Sequence, residues 1–348
     1  MKHGYQRVIT SPPDDRRDLF IATARRLGTT EQNVEKDFWV CWTLDALFQG
    51  RQAGAPRLLF KGGTSLSKAF GLIQRFSEDI DITVFGEDLG EPASIDELEK
   101  LSRKKRRAKL DEIRTACQRY LVEDLRPRLA AQLAEAISPS ASADVIIDEL
   151  DPDRQTVLVR YPSVFAADPY VRAVARIECG AKSALDPHGL FVVTPYVAAE
   201  IPNLDLTVAD VTTILPERTF WDKVVIVHGL RAWFERRDEL RQEGQRVSRH
   251  YYDLHSILPT DVAGRALSDL ALGRECIRHA AVFFGRPDFD LDAAASGHFA
   301  LSPGAQMLDG LRRDYDAMAG MIFRDTPRFD DVLASIAILE VRLNRQRF

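Results

Sequence analysis

The sequence predicts an α+β chain, with helices and mixed strands up to about Pro202 and helices alone beyond it. Three observations predict this. Leu58 to Phe85 reads as strand, glycine turn, helix, loop and strand in one short stretch. Val171 to Cys179 alternates apolar and charged residues with period two, as a sheet strand with one wet face does. From Pro216 onward the apolar residues recur at three and four positions instead.

Taken in order, the first ten residues read as a loose end. Asp14 to Leu27 is a helix that starts after Pro12-Pro13 and stops at Gly28. Thr29 or Thr30 caps the next helix, which runs to about Phe48 with Val34, Phe38 and Trp42 on its apolar side. Lys36-Asp37 sits mid-helix and reads from spacing as a surface pair. Gln49 to Pro56 leads into strand Leu58 to Phe60, after which Leu66, Ala69, Phe70 and Ile73 mark a helix. The next strand alternates Asp79, Asp81 and Thr83 with Ile80, Ile82 and Val84. A basic helix from Arg103 extends toward Ile137, and strands follow at Asp144 to Leu150, Gln155 to Tyr161, Val171 to Cys179 and Leu190 to Val197. Pro216 opens a helix with Phe220, Val224 and Val227 in one apolar row. The last helix spans roughly Asp330 to Asn344.

The chemistry concentrates in LLFKGGTSLSKAFGLIQRFSEDIDITVF. Gly62 and Gly63 lack Cβ atoms, so the backbone there can take positive φ and let a ligand approach the amides. Thr64 or Ser65 can cap the helix that follows, and the free N–H groups of that helix start suit phosphate. The period of two places Asp79 and Asp81 on one strand face. Two close carboxylates repel unless a cation joins them, and hard oxygen ligands suit Mg²⁺. Each part has a plainer reading: a lone D-x-D is a solvated strand or turn, and a lone Gly-Gly-Thr is a turn. Strand–GG[ST]–helix followed by R-x-S-x-D-x-D is much rarer. Elsewhere, Arg103 to Arg107 with Lys109 is either a solvated face balanced by the preceding acids or a surface that tracks an RNA backbone. Lys223 lies at the border of an apolar stripe, where a lysine ordinarily snorkels to water. His228, His250 and His255 have no metal-ligand context and read as packing or surface residues.

The combined pattern resembles the polymerase-β-like nucleotidyltransferase superfamily. Within it, KGGTSLSKAFGLIQRFSEDIDI is similar to the AbiEii/AbiGii family of toxin-type nucleotidyltransferases. NVEKDFWVCWTLDALF upstream, with LPERTFWDKVVIVH and SRHYYDLHSIL downstream, carries the resemblance over most of residues 30 to 260. It implies a bilobed protein, with a nucleotidyltransferase domain of N-terminal helices plus mixed sheet at 1–203 and a helical domain closing the active-site cleft at 204–348. It implies NMP transfer from an NTP to an acceptor hydroxyl, with Asp79 and Asp81 holding Mg²⁺, or Mn²⁺ in its place. Glu178 is the candidate third carboxylate, its other reading being an exposed strand glutamate paired with Arg176. Gly62, Gly63, Thr64, Ser65, Arg75 and Ser77 would bind the nucleotide, Lys223 would meet the triphosphate, and Asp253 would belong to the site. Arg249 would hold phosphate or brace Asp253. Lys61 departs from the apolar residue common at its position in the superfamily, and either aids phosphate binding or merely edges the strand.

Relatives act as toxins of toxin–antitoxin or abortive-infection (phage-defence) pairs, some of them on the acceptor end of tRNA. The expected partners are therefore an NTP, a tRNA acceptor and a separately encoded antitoxin. Transfer to a protein hydroxyl is the alternative activity. A non-catalytic nucleotide-binding subunit is the third reading, and the intact Asp79 and Asp81 weigh against it.

Composition bounds the answer without deciding it. A length of 348 residues suits about two domains. A net charge of −5 argues against a dedicated nucleic-acid coat while leaving room for a local basic groove. Cys41, Cys117, Cys179 and Cys276 are scattered without a C-x-x-C pair, as suits reduced thiols in the cytoplasm. No apolar run approaches about 18 residues, so no membrane span is expected. The kinase motif set is absent from the sequence.

Overall fold

Leu58-Leu59-Phe60 begins the sheet on which the first half of the chain is built. The computed structural model describes residues 3–166, 172–241, 246–346 and 348. The chain folds as two units. The first comprises Met1–Phe70, Phe76–Ser94 and Leu101–Ile214, and the second Gly71–Arg75, Ile95–Lys100 and Leu215–Phe348.

Seven strands form one mixed sheet in the first unit: β1 (Leu58–Lys61), β2 (Asp79–Val84), β3 (Asp144–Ile147), β4 (Thr156–Arg160), β5 (Val174–Gly180), β6 (His188–Val193) and β7 (Val208–Ile214). Their spatial order is β3-β4-β5-β2-β1-β7-β6. β2 is central, antiparallel to β1 and parallel to β5. Ile80, Ile82 and Val84 are buried on its inner face in one core with Phe60, Val157, Ala175 and Ile177. Burying the three β2 side chains contributes on the order of 5–9 kcal/mol before entropy is counted. The helices of this unit are α1 (His3–Ile9), α2 (Pro13–Leu27), α3 (Glu31–Phe48) and α4 (Gly62–Lys68); α5 (Ile95–Lys100) belongs to the second unit, and α6 (Arg103–Tyr120) and α7 (Arg126–Ala136) return to the first.

Several expectations change. The first residues are a helix, because Tyr5 is fully buried and its hydroxyl donates to the Leu206 carbonyl at 2.9 Å. The helix after the glycine pair ends at Lys68, short of Ile73. The basic helix is interrupted at Leu121–Leu125 by a wider turn before α7. Val171 lies outside the described residues, and the described strand starts at Val174. β7 was not expected at all. Its apolar residues Val208, Val211 and Ile214 fall three apart in sequence and so imitate a helical period. Asp210 at φ 52° breaks the strand alternation and lets Val208 and Val211 enter the same core, while Ile214 packs separately with Leu59 and Phe85. This strand carries the first unit past residue 203 to Ile214.

The second unit is helical: α8 (Pro216–Arg237), α9 (Arg249–Ile257), α10 (Asp261–Ser268), α11 (Leu270–Phe283), α12 (Leu291–Ala295), α13 (Ala305–Met318) and α14 (Phe329–Arg345). α8 packs against α9, α10 and α11. Trp221 is wholly buried and donates its indole N–H to the Ala266 carbonyl at 3.0 Å. α5 is tied to α11 by Arg278, which pairs with Asp96 and Glu99.

α3 is the back of the sheet, and every residue from Asn33 to Leu47 is buried. Lys36 and Asp37 are therefore not a surface pair: they are 5 % and 2 % exposed. Asp37 pairs with Lys68 at 2.6 Å and accepts the Tyr196 backbone N–H at 2.7 Å, while the Lys68 ammonium lies over the Tyr196 ring. Burial opposes the Lys68 charge, but Asp37 more than offsets this and raises its pKa above the ordinary lysine value. Asp37→Ala strands that ammonium in the core and is expected to cost about 3–5 kcal/mol in urea unfolding, and adding Lys68→Met should recover much of the loss. Equal losses in the single and double variants would show that the pair is not what holds this region.

Candidate active site

In the first unit the site is built by the β1–β2 pairing. Lys61 stands opposite Asp81, and on the other side of β2 Arg176 and Glu178 of β5 lie in register with Asp79 and Asp81. Cross-strand partners share a face, so Lys61, Asp79, Asp81, Arg176 and Glu178 all lie opposite the buried isoleucines. Asp79 and Asp81 are about 6.6 Å apart along the strand. Burial, followed by the charges of Glu178, Glu78 and Asp81, pushes the Asp79 carboxyl up to about 7. A carboxylate driven toward neutrality by burial and by its neighbours is one that a cation would keep ionised.

The turn is shaped to those acids. Gly62 has φ 75°, and a Cβ there would collide with the Asp81 carboxylate. Thr64 and Ser65 do not cap α4 but lie inside it, the N-cap being Lys61. The Thr64 hydroxyl reaches the Ser77 hydroxyl at 2.9 Å and donates to the Asp79 carbonyl, tying the turn to the start of β2. Ser65 donates to the Gly62 carbonyl at 2.9 Å. Gly62 to Ser65, Ser77, Asp79 and Asp81 are thus gathered in one place in this unit.

Glu178 is in register but held differently. Its carboxylate pairs with Arg176 at 3.2 Å and its side chain is 46 % exposed. Among the described residues no group of three or more His, Cys, Asp or Glu is assembled to hold a metal ion. The donor set still fits one. Mg²⁺ binds through one or two carboxylates plus substrate phosphates, and Asp79 and Asp81 supply the pair.

The second unit holds a different cluster. Asp253 is completely buried and accepts two hydrogen bonds from Arg75, at 2.7 and 2.8 Å, while Lys223 pairs with it at 2.7 Å. Burial alone would raise the Asp253 pKa, but Arg75 and Lys223 pull it below the carboxylate range. Lys223 is 5 % exposed and turned to Asp253 rather than snorkelling to water. Burial lowers its pKa, Arg75 and Arg249 add to this, and Asp253 opposes it. The bracing of Asp253 comes from Arg75 and Lys223. His228 is a packing residue, its ring between the Asp290 carbonyl and the Ala300 N–H.

Two contributors were not among the expected site residues, although the resemblance suggests that Lys36-Asp37 lies near the site. Lys36 pairs with Glu78 at 2.5 Å, so the Lys36-Asp37 dipeptide grips both the residue before Asp79 and, through Lys68, the end of α4. A signal was present: Lys36-Asp37 directly precedes the apolar run Phe38 to Trp42, and charges beside such a run are buried only when paired. Lys61, left open by the sequence, shares the carboxylate face, and its side chain has no ion-pair or hydrogen-bond partner among the described residues.

Gly62→Ala is expected to cost about 1–3 kcal/mol through its φ alone and to displace Asp81, so thermal unfolding and metal-ion titration should both shift. A normal melting point with normal metal affinity would contradict the close approach. A second prediction concerns pH. His250 has a ring nitrogen without a hydrogen-bond partner among the described residues, and desolvation, then Lys223, Arg249 and Arg75, lower its pKa well below 6.5, with Asp253 alone opposing. The unfolded chain binds a proton that the folded chain refuses. Stability should therefore fall as pH drops below about 6.5, by up to about 1.4 kcal/mol per pH unit, and His250→Asn should flatten that slope in denaturant titrations.

No curated protein sequence matches the chain. Among solved structures, MenT4, a nucleotidyltransferase toxin from Mycobacterium tuberculosis H37Rv, is similar at a TM-score of 0.53 and 16 % identity, over 95 % of this chain and 90 % of that one. At that identity the likeness shows a shared fold. The family described as nucleotidyl transferase AbiEii toxin, type IV toxin–antitoxin system, matches residues 45–335, which span the glycine turn, the Asp79–Asp81 strand, Lys223 and Asp253. The chain belongs to the AbiEii family of nucleotidyltransferase toxins.

Proposed function

We propose that this nucleotidyltransferase moves an NMP from an NTP to a hydroxyl at the 3′ end of tRNA, as the toxin of a pair whose antitoxin is separately encoded. The observation that carries the reading is the Asp79–Asp81 pair opposite Lys61 and against Gly62, with Asp79 raised to about 7 by burial and then by neighbouring carboxylates. In the reaction the acceptor oxygen attacks the α-phosphorus in line, the bond to the β-phosphate oxygen breaks, and pyrophosphate leaves. Asp79 and Asp81 would hold Mg²⁺, with Mn²⁺ as a substitute, which when bound supplies charge neutralisation for the phosphates and the reacting oxygens.

The chain's own groups position and neutralise. The amides of Gly62 and Gly63 would meet phosphate, and Thr64, Ser65 and Ser77 fix the turn. Lys223 and Arg75 would meet triphosphate charge, a role that the family resemblance suggests and that Asp253 would support by positioning both side chains. Asp253 itself is a poor proton acceptor, because two cations hold it ionised well below neutrality. Glu178, more exposed, is the better candidate to take the acceptor proton or to serve as a third ligand. A cytoplasmic phage-defence role follows from the family resemblance; among the described residues no helix is long and apolar enough to cross a membrane.

The test is incubation with Mg²⁺, total tRNA and each α-phosphate-labelled NTP, beside the Asp79→Ala, Asp81→Ala double variant. Label on RNA is expected and should fall at least about 100-fold in the variant, as loss of several kcal/mol of charge stabilisation requires. Label on protein instead would move the acceptor to a polypeptide, and no label from any NTP despite nucleotide binding would leave a non-catalytic regulator.

A further inference from the structure

We propose that the basic start of α6, Arg103 to Arg107, docks the phosphate backbone of the RNA acceptor; this rests on the tRNA reading above and names the surface that would carry it. The five residues are consecutive cations in a chain of net charge −5. Arg103, Lys104, Lys105 and Arg107 are exposed, and Arg106 is half-buried. None of the five side chains has an ion-pair or hydrogen-bond partner among the described residues.

The acids that would ordinarily balance them are engaged elsewhere. Glu91 pairs with Lys109, Asp96 and Glu99 pair with Arg278, and Asp111, one turn after Arg107, pairs with Arg114. The run is therefore not the balanced solvated face that its neighbours in sequence suggest.

Nor do these cations stabilise the helix. The first turn of α6 contains no acid, so the charges sit at the positive end of the helix dipole and repel one another across i,i+4. α6 is held by other means: Ser102 accepts the Lys105 backbone N–H, and Ile113, Ala116, Cys117 and Tyr120 are buried. A costly, unneutralised cation cluster on an otherwise well-anchored helix fits an external polyanion.

That polyanion is better matched by nucleic acid than by an acidic protein surface. Protein interfaces centre on apolar and aromatic anchors, and no large apolar side chain between residues 101 and 120 is exposed. A mixture of guanidinium and ammonium groups suits a row of phosphates. α6 packs on the turn Gly86–Leu89 that follows β2, about five strand residues or roughly 16 Å past Asp81. Only an extended acceptor could meet both places at once.

The test uses the full chain with Arg103→Gln, Lys104→Gln, Lys105→Gln and Arg107→Gln together, and tRNA binding measured by fluorescence anisotropy without NTP, from 50 to 200 mM KCl. Affinity at low salt should fall at least about tenfold, and the slope of log K against log salt should shrink by about 3. NTP affinity should be unchanged and the melting point should hold or rise, since the cations repel one another, and a companion variant with Arg103→Lys and Arg107→Lys should bind tRNA normally. If the wild type transfers nucleotide to RNA but the quadruple variant binds tRNA as well as the wild type, the surface proposal is overturned and the function stands. If the wild type binds tRNA through this face yet transfers nothing to it, the surface stands and the function falls. Failure of the wild type to bind tRNA, or loss of binding to an acidic protein alone, overturns the surface proposal.

Discussion

The pairing of Lys61 with Asp81 across β1 and β2 is the constraint on which the first unit depends. It brings the end of one strand against the acidic face of the next, and the chain must then turn away within a single residue. Only a residue without a side chain fits there, since Gly62 turns at positive φ directly over the Asp81 carboxylate. The acids stand on the sheet's wet face while Ile80 and Ile82 fill the core behind them, so one six-residue strand carries an acidic face and a packed one. Repulsion among Asp79, Asp81, Glu78 and Glu178 is tolerated because β2 is central, held on both edges by β1 and β5.

The support for that strand comes from an element far away in sequence. α3 is buried along nearly its whole length, and two of its charges, Lys36 and Asp37, each find a partner on the Leu58–Phe85 stretch: Glu78 for Lys36, Lys68 for Asp37. Buried ion pairs are weak evidence for added stability, but they are demanding about geometry. Here they fix the register of strand, turn and short helix against the same support. In the second unit Asp253 plays a comparable part, as one carboxylate holding Arg75 from a short excursion of the chain and Lys223 from α8.

The parts legible in the sequence were those where local pattern and final environment agree. The period of two in β2 and β5, the proline at the start of α8 and Gly28 closing α2 at φ 69° all belong to this kind. What was missed depended on distant contacts. Tyr5 gives α1 a place in the core only because the backbone at Leu206 returns to meet it. β7 hid behind a left-handed Asp210. Lys223 and Asp253 were reached through family resemblance, and spacing alone put the lysine in water; the ion pair that buries it joins residues thirty positions apart and leaves no periodic trace. The basic run of α6 was visible, but whether it was balanced turned on where the nearby acids point, which a sequence does not state.

One further feature bears on how the two units open. All four cysteines are free and buried, three of them (Cys41, Cys117 and Cys179) in the sheet-bearing unit and one (Cys276) in the helical one. Burial raises the pKa of each, so none is a ready nucleophile while its surroundings stay closed. Reaction with a thiol reagent therefore reports local opening, and the two units carry separate reporters. The order in which Cys276 and the other three become labelled would rank the units by how readily each loosens, without a probe being introduced anywhere in the chain.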